Sequence, residues 1–181
     1  MWYDPILINN KYTVEYHIEA FQKLCSLIEE NVKHIIISFV DMYKNVEKNM
    51  SVLKLKEIKK QDIEILCKSF SKIASMHGIR VQSCYEQDRL IPYGISNEPC
   101  VSKEFAYQLT GKKYPKWQAR NCGCVSMVDI GEYNTCHHLC KYCYANYDEE
   151  KVQKNILKHD VDSSLLIGHL KEEDEVKVRK K

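Results

Sequence analysis

Apolar positions in the first half of the chain alternate between short, nearly unbroken runs and stripes at helical spacing. Residues 2–8 are rich in aromatic and aliphatic side chains over a strand's length, and Asn9-Asn10-Lys11 supplies the turn that ends them. Thr13 is a helix N-cap residue, and Val14, Ile18, Phe21, Cys25, Ile28 and Val32 follow at spacings that share one helical face. Residues 35–40 form a second buried strand, rich in β-branched side chains. A short helix is expected over residues 43–46. Ile63, Leu66, Phe70, Ile73 and Ala74 mark a longer helix that Gly78 ends, and residues 79–84 make a third strand. Beyond residue 95 the rhythm weakens. It leaves a short helix over 102–109, a polar loop through Gly111, Lys112 and Pro115, a fourth strand over 125–130 and a helix over 149–157. Dense charge alternation over residues 171–181 reads as a solvated tail.

Strand, helix, strand, helix, strand at these lengths is the pattern of βαβ units and a parallel sheet, so the expected fold class is α/β. Four segments are expected: a βα-repeat region (1–110), a cysteine-rich segment (111–146), a C-terminal helix and ending (147–170) and a charged tail (171–181). The sequence opens directly on a core strand, and three or four strands cannot close a barrel. The architecture expected is therefore the distal part of a TIM-like barrel, a partial barrel followed by a cysteine-rich loop segment, with a small open sheet as the alternative. Parallel sheets bind ligands at the carboxyl ends of their strands, which makes Asp41, Cys84 and Glu86 candidates. The plain alternative is that Asp41 and Glu86 cap helices or face water.

The 181 residues, 44% of them hydrophobic, suffice for an ordinary core. A net charge of +2 from 27 basic and 25 acidic residues provides no focused basic face. Nucleic acid is thus set aside, although aromatics and lysines do cluster over residues 107–120. No stretch has the ~20 apolar residues of a membrane span, and the first residues have no basic region or cleavage site, so a cytoplasmic location is expected.

Nine cysteines change the picture, because disulfides are rarely kept in the cytosol and metal binding or redox chemistry becomes the usual explanation. Cys25 and Cys67 fall on apolar helix faces, where a thiol packs as a small hydrophobe. The other seven lie in the second half. Cys136-His137-His138-Leu139-Cys140-Lys141-Tyr142-Cys143 has the spacing C-x3-C-x-aromatic-C. Three thiolates from one tight loop hold three irons of a [4Fe–4S] cluster and leave the fourth open, the arrangement in which radical enzymes chelate S-adenosylmethionine. Tyr142 then takes the position beside the adenine. Zinc, which prefers four ligands, is the alternative, combining Cys140 and Cys143 with Cys122 and Cys124 or with His137 or His138. Cys122 and Cys124 are too close together to hold a metal alone, but Cys84 and Cys100 could complete four thiolates in a second site. His137 and His138 otherwise read as outer donors or solvent-facing side chains.

Tyr3-Asp4-Pro5, Ser38-Phe39-Val40-Asp41-Met42-Tyr43, Cys84 with Glu86, Cys122-Gly123-Cys124, the block from Asp129 through Cys143 to Asn146, and Ser163-Ser164-Leu165-Leu166-Ile167-Gly168 together span nearly the whole chain. On these blocks the chain resembles the domain-of-unknown-function 1848 family of bacteria and archaea, whose C-terminus carries a cysteine cluster similar to that of the radical S-adenosylmethionine enzymes. The resemblance implies a bound cluster with Cys136, Cys140 and Cys143 as ligands and a small-molecule cofactor. It also implies an upstream region that this chain lacks, so a missing N-terminal half or a complementary chain is an expected partner. Typical radical enzymes carry their three cysteines after the first barrel strand, whereas here the motif comes last.

Overall fold

The computed structural model describes residues 1–83, 86–118 and 122–177. Strand β1 (Trp2–Ile6) leads to helix α1 (Val14–Ile28), which starts where the Thr13 hydroxyl accepts a hydrogen bond from the Tyr16 amide at 3.2 Å. The Glu15 carboxyl is held below its ordinary pKa by its own backbone amide and, after it, by the Thr13 hydroxyl. The helix ends a turn earlier than its apolar stripe suggests. The Ile28 carbonyl accepts from both Asn31 and Val32, closing the last turn while Val32 still packs on the core.

Strand β2 (His34–Phe39) buries Ile35, Ile36 and Ile37 in succession, as expected of a strand covered on both faces. After it come the short helices α2 (Lys44–Lys48) and α3 (Met50–Leu53), the long helix α4 (Lys60–Met76) and strand β3 (Arg80–Ser83). Gly78 ends α4 as expected, with a φ of 64° that a side chain would resist.

The three strands form a parallel sheet in the order β1-β2-β3, open rather than closed. Register pairs Tyr3 with Ile37 and Ile37 with Ser83. Helices α1 and α4 pack on one another, and their centre is an aromatic cluster. The rings of Phe21 and Phe70 stack at 4.0 Å, and Tyr3 stands edge-on to both at 5.4 and 5.6 Å. Around them close Ile6, Ile35, Ile37 and Leu66, all inaccessible to solvent.

Past the sheet, residues Gln87–Tyr93 form a 3-10 helix and Lys103–Thr110 form helix α5, capped by the Ser102 hydroxyl on the Phe105 amide. The strand expected over residues 125–130 does not form. Val125 makes a single bridge to Lys116, and beyond it Val128 and Ile130 are 58% and 88% exposed. Apolar character alone cannot make a strand where no neighbouring backbone offers a ladder. The last helix, α6 (Glu149–Leu157), begins as expected, with the Asp148 carboxylate accepting from the Lys151 amide.

The chain divides into two compact units. One comprises the described residues of Met1–Asp41 and Met50–Val128 and contains the sheet; the other comprises Met42–Asn49 and the described residues from Asp129 onward. Among the described residues, no helix is long and apolar enough to cross a membrane.

Candidate functional site

Cys136, Cys140 and Cys143 all lie in the second unit, with Cys136 exposed and the other two half-buried. The loop reverses at Leu139, whose φ of 53° lies in the left-handed region, and the Cys143 amide donates to the Cys140 carbonyl at 2.9 Å. Two thiols are thereby placed on one tight turn. Among the described residues no three His, Cys, Asp or Glu side chains are gathered as a metal-holding group, so the thiols are carried by one loop without being converged on a point. As a donor set, three accessible thiols on eight residues fit a cluster that requires one thiolate per iron.

What shapes this loop is a set of asparagine amides. Asn146 donates to the Cys136 carbonyl, Asn49 to the Lys141 carbonyl at 2.8 Å and Asn45 to the Tyr144 carbonyl at 2.8 Å. Asn45 on α2 and Asn49, the residue that caps its C-terminus, are one turn apart, so the helix and its cap present two donors to the loop along one face. Asn134 anchors the entry. Only 3% exposed and with φ at 59°, it accepts through Oδ1 from the amides of Tyr147 and Asp148, at 2.9 and 3.1 Å. Its backbone amide donates to the Ala145 carbonyl, and its own carbonyl accepts from the Asn155 side chain at 3.1 Å. Asparagine suits the position because it tolerates the left-handed backbone and carries an acceptor on a short stem.

These clamps were not anticipated from the sequence, where the available signal was the density of asparagine at 45, 49, 134, 146 and 155 around the cysteines. Asn45, Lys48, Asn49, Cys140, Lys141 and Asp148 line a cavity of about 100 Å³ within this unit, and Lys141 pairs with Glu149 at its edge. Tyr142 is half-buried between two of the thiols in sequence, while the rings of Tyr43 and Tyr144 meet at 5.4 Å. His137 and His138 are exposed and lie against each other at 5.3 Å.

The remaining candidates fall in the sheet-bearing unit. Cys25 and Cys67 are fully buried, as their helical positions implied. Burial, reinforced by Glu29 at the first and Glu86 at the second, pushes their thiols up to about 11 and about 12. Glu86 sits at the carboxyl ends of the strands, where its Oε1 accepts from the Phe39 amide at 3.1 Å and it pairs with Arg89. The Arg89 guanidinium in turn covers the Phe39 ring at 5.5 Å. Asp41 is exposed. Cys84 lies outside the described residues. Cys100 and Cys124 come together with their sulfurs 3.8 Å apart, and Cys122 is half-buried two residues before Cys124.

A family model described as Domain of unknown function (DUF1848) matches residues 1–145, a span that takes in the sheet, Cys122, Cys124 and all three cysteines of the loop. No curated protein and no solved structure matches the chain.

Proposed function

The chain belongs to the DUF1848 family, and from that premise we propose that it binds a [4Fe–4S] cluster through Cys136, Cys140 and Cys143 as a cytoplasmic protein of radical S-adenosylmethionine-like type. The observation that carries the reading is the loop itself: three thiols at C-x3-C-x-aromatic-C spacing, all accessible, on a backbone whose carbonyls are tied down by Asn45, Asn49 and Asn146. When bound, such a cluster supplies an open iron for the amino and carboxylate groups of S-adenosylmethionine and an electron for its sulfonium. The chain's own residues do the holding. Asn146 and Asn49 fix the backbone at the first thiol and just after the second, Asn134 sets the direction in which the segment enters, and Tyr142 is assigned to the adenine. In the same reading the three-stranded parallel sheet is the distal part of a TIM-like barrel, with the earlier strands supplied by an upstream region or a complementary chain.

A specific observation also favours a second reading, in which zinc or a fully ligated cluster is structural. Among the described residues of the cysteine-bearing unit, only Val46, Asn134 and Val152 are buried, too little apolar material to stabilise it alone.

Anaerobic reconstitution separates the two. Iron and sulfide in cluster stoichiometry, lost in Cys140→Ala, with a paramagnetic resonance spectrum altered by S-adenosylmethionine, is the expected result. Zinc without iron, or a cluster whose spectrum ignores the cofactor, would overturn the radical reading in favour of the structural one.

A further inference from the structure

Cys100 and Cys124 are distant in sequence, yet the fold of the sheet-bearing unit holds their sulfurs 3.8 Å apart. Backbone contacts place them. The Val125 amide donates to the Val101 carbonyl at 3.0 Å, so the residues following each cysteine are tied to one another. The Trp117 amide donates to the Cys124 carbonyl itself at 2.8 Å. On the other side of Cys124, Gly123 lies directly against Pro99. A Cβ on that glycine would stand 2.6 Å from the proline Cγ, closer than atoms pack, so the approach of the two loops depends on its absence. Cys124 is 2% exposed and Cys100 half-buried.

We propose that Cys100 and Cys124 are two ligands of a thiolate site for a zinc-type divalent ion, separate from the 136–143 loop, with Cys122 supplying a third thiolate when the metal binds. The spacing is the reason. Bonds of about 2.3 Å at a tetrahedral angle set two thiolates of one zinc about 3.8 Å apart. A disulfide instead requires the sulfurs to close to about 2.05 Å. Ligation therefore needs no movement of these sulfurs, whereas a disulfide needs them to draw together. Each thiol releases its proton to solvent as its sulfur takes the metal, and nothing is oxidised or reduced. Three thiolates leave a fourth position for water or a further donor.

The test silences the other loop first. Cys136→Ser/Cys140→Ser/Cys143→Ser protein, purified anaerobically, is expected to retain about one zinc per chain, lost on adding Cys124→Ser or Cys100→Ser and weakened by Cys122→Ser. Cobalt in place of zinc is expected to give the visible bands of a tetrahedral thiolate site. A second measurement covers variants that do not fold. In the unmutated chain, alkylation followed by peptide mass mapping should find Cys100 and Cys124 protected until a chelator is added. Three results would overturn the proposal: a triple variant without zinc, zinc that survives loss of both Cys100 and Cys124, or a Cys100–Cys124 cross-linked peptide lighter by a pair of hydrogens. Iron on the 136–143 loop is counted separately, so failure of one site is distinguishable from failure of the other.

Discussion

The Tyr3 hydroxyl lies 2.8 Å from Nδ1 of His17, and Nε2 of the same ring lies 2.8 Å from the Leu7 carbonyl. A carbonyl only accepts, so Nε2 carries the hydrogen and Nδ1 accepts from the tyrosine. The chain of bonds ties β1 and the segment after it to α1 through a neutral imidazole. Burial lowers the His17 pKa, partly offset by the Leu7 bond, and burial together with Tyr16 pushes Tyr3 up to about 12.

Stability should therefore fall with acid in a definite window. Below the ordinary histidine value of 6.5 the unfolded chain takes a proton at this position that the folded chain refuses, down to the lowered folded value. The contribution is fully present above 6.5 and is lost as pH falls toward and through the folded pKa. Urea denaturation at a series of pH values is expected to show this slope in the native chain and a shallower one in His17→Gln. Equal slopes would mean that His17 is not the titrating group.

Asn134→Ala removes the acceptor for the two part-buried amides of Tyr147 and Asp148 and leaves alanine in a left-handed backbone. The expected cost is about 1–3 kcal/mol for the unmet donors and about 1–2 kcal/mol for the backbone. Asn134→Asp keeps the acceptor and should lose less. Hydrogen exchange over residues 134–148 reads the effect; unchanged protection in the alanine variant would refute the anchoring role.

Gly123→Ala places a methyl group against Pro99 and should spread the loops that carry Cys100 and Cys124. The measurable outcome is weaker zinc retention with the sheet intact by far-ultraviolet circular dichroism. Retention equal to that of the parent would show that the thiols do not depend on this approach.

Phe70→Ala empties the centre of the aromatic cluster, where the ring stacks on Phe21 and meets the edge of Tyr3. A loss of about 3–5 kcal/mol is expected, measured as a shift in the urea midpoint. A cost below about 1 kcal/mol would imply that the cluster collapses to fill the space.

Cys25 and Cys67, with thiols pushed up to about 11 and about 12, should be alkylated much later than Cys136, Cys140 and Cys143 in the folded chain. Labelling of either at the rate of Cys136 near about pH 8 would contradict their burial.

The elements legible in the sequence were those specified by local rules. Thr13 and Gly78 mark helix ends through their own backbone and side-chain chemistry, and the isoleucines of β2 reveal a strand buried on both faces. The α/β class with a parallel sheet followed from these, but whether the sheet extends further did not, since an open edge leaves no mark on the strands that are present. The strand expected over residues 125–130 failed for a related reason: Val128 and Ile130 have the composition of a strand and no ladder to join. At the candidate site, the spacing of Cys136, Cys140 and Cys143 was plain, because all three belong to one loop. The asparagine clamps were not, because Asn45 and Asn49 meet carbonyls nearly a hundred residues away and such bonds leave no periodic trace. Cys100 and Cys124 could be counted among candidate thiolates from the sequence, but their pairing required the fold.

The cysteine-bearing unit, whose described residues bury only Val46, Val152 and Asn134 and are held by amide-to-carbonyl bonds, exposes little new apolar surface when it opens. Heat capacity changes and denaturant slopes scale with that surface. In a calorimeter the opening of the cysteine-bearing unit would therefore be nearly silent, and the recorded transition would belong almost entirely to the sheet and its aromatic cluster. A variant could lose the whole cysteine loop and still melt like its parent.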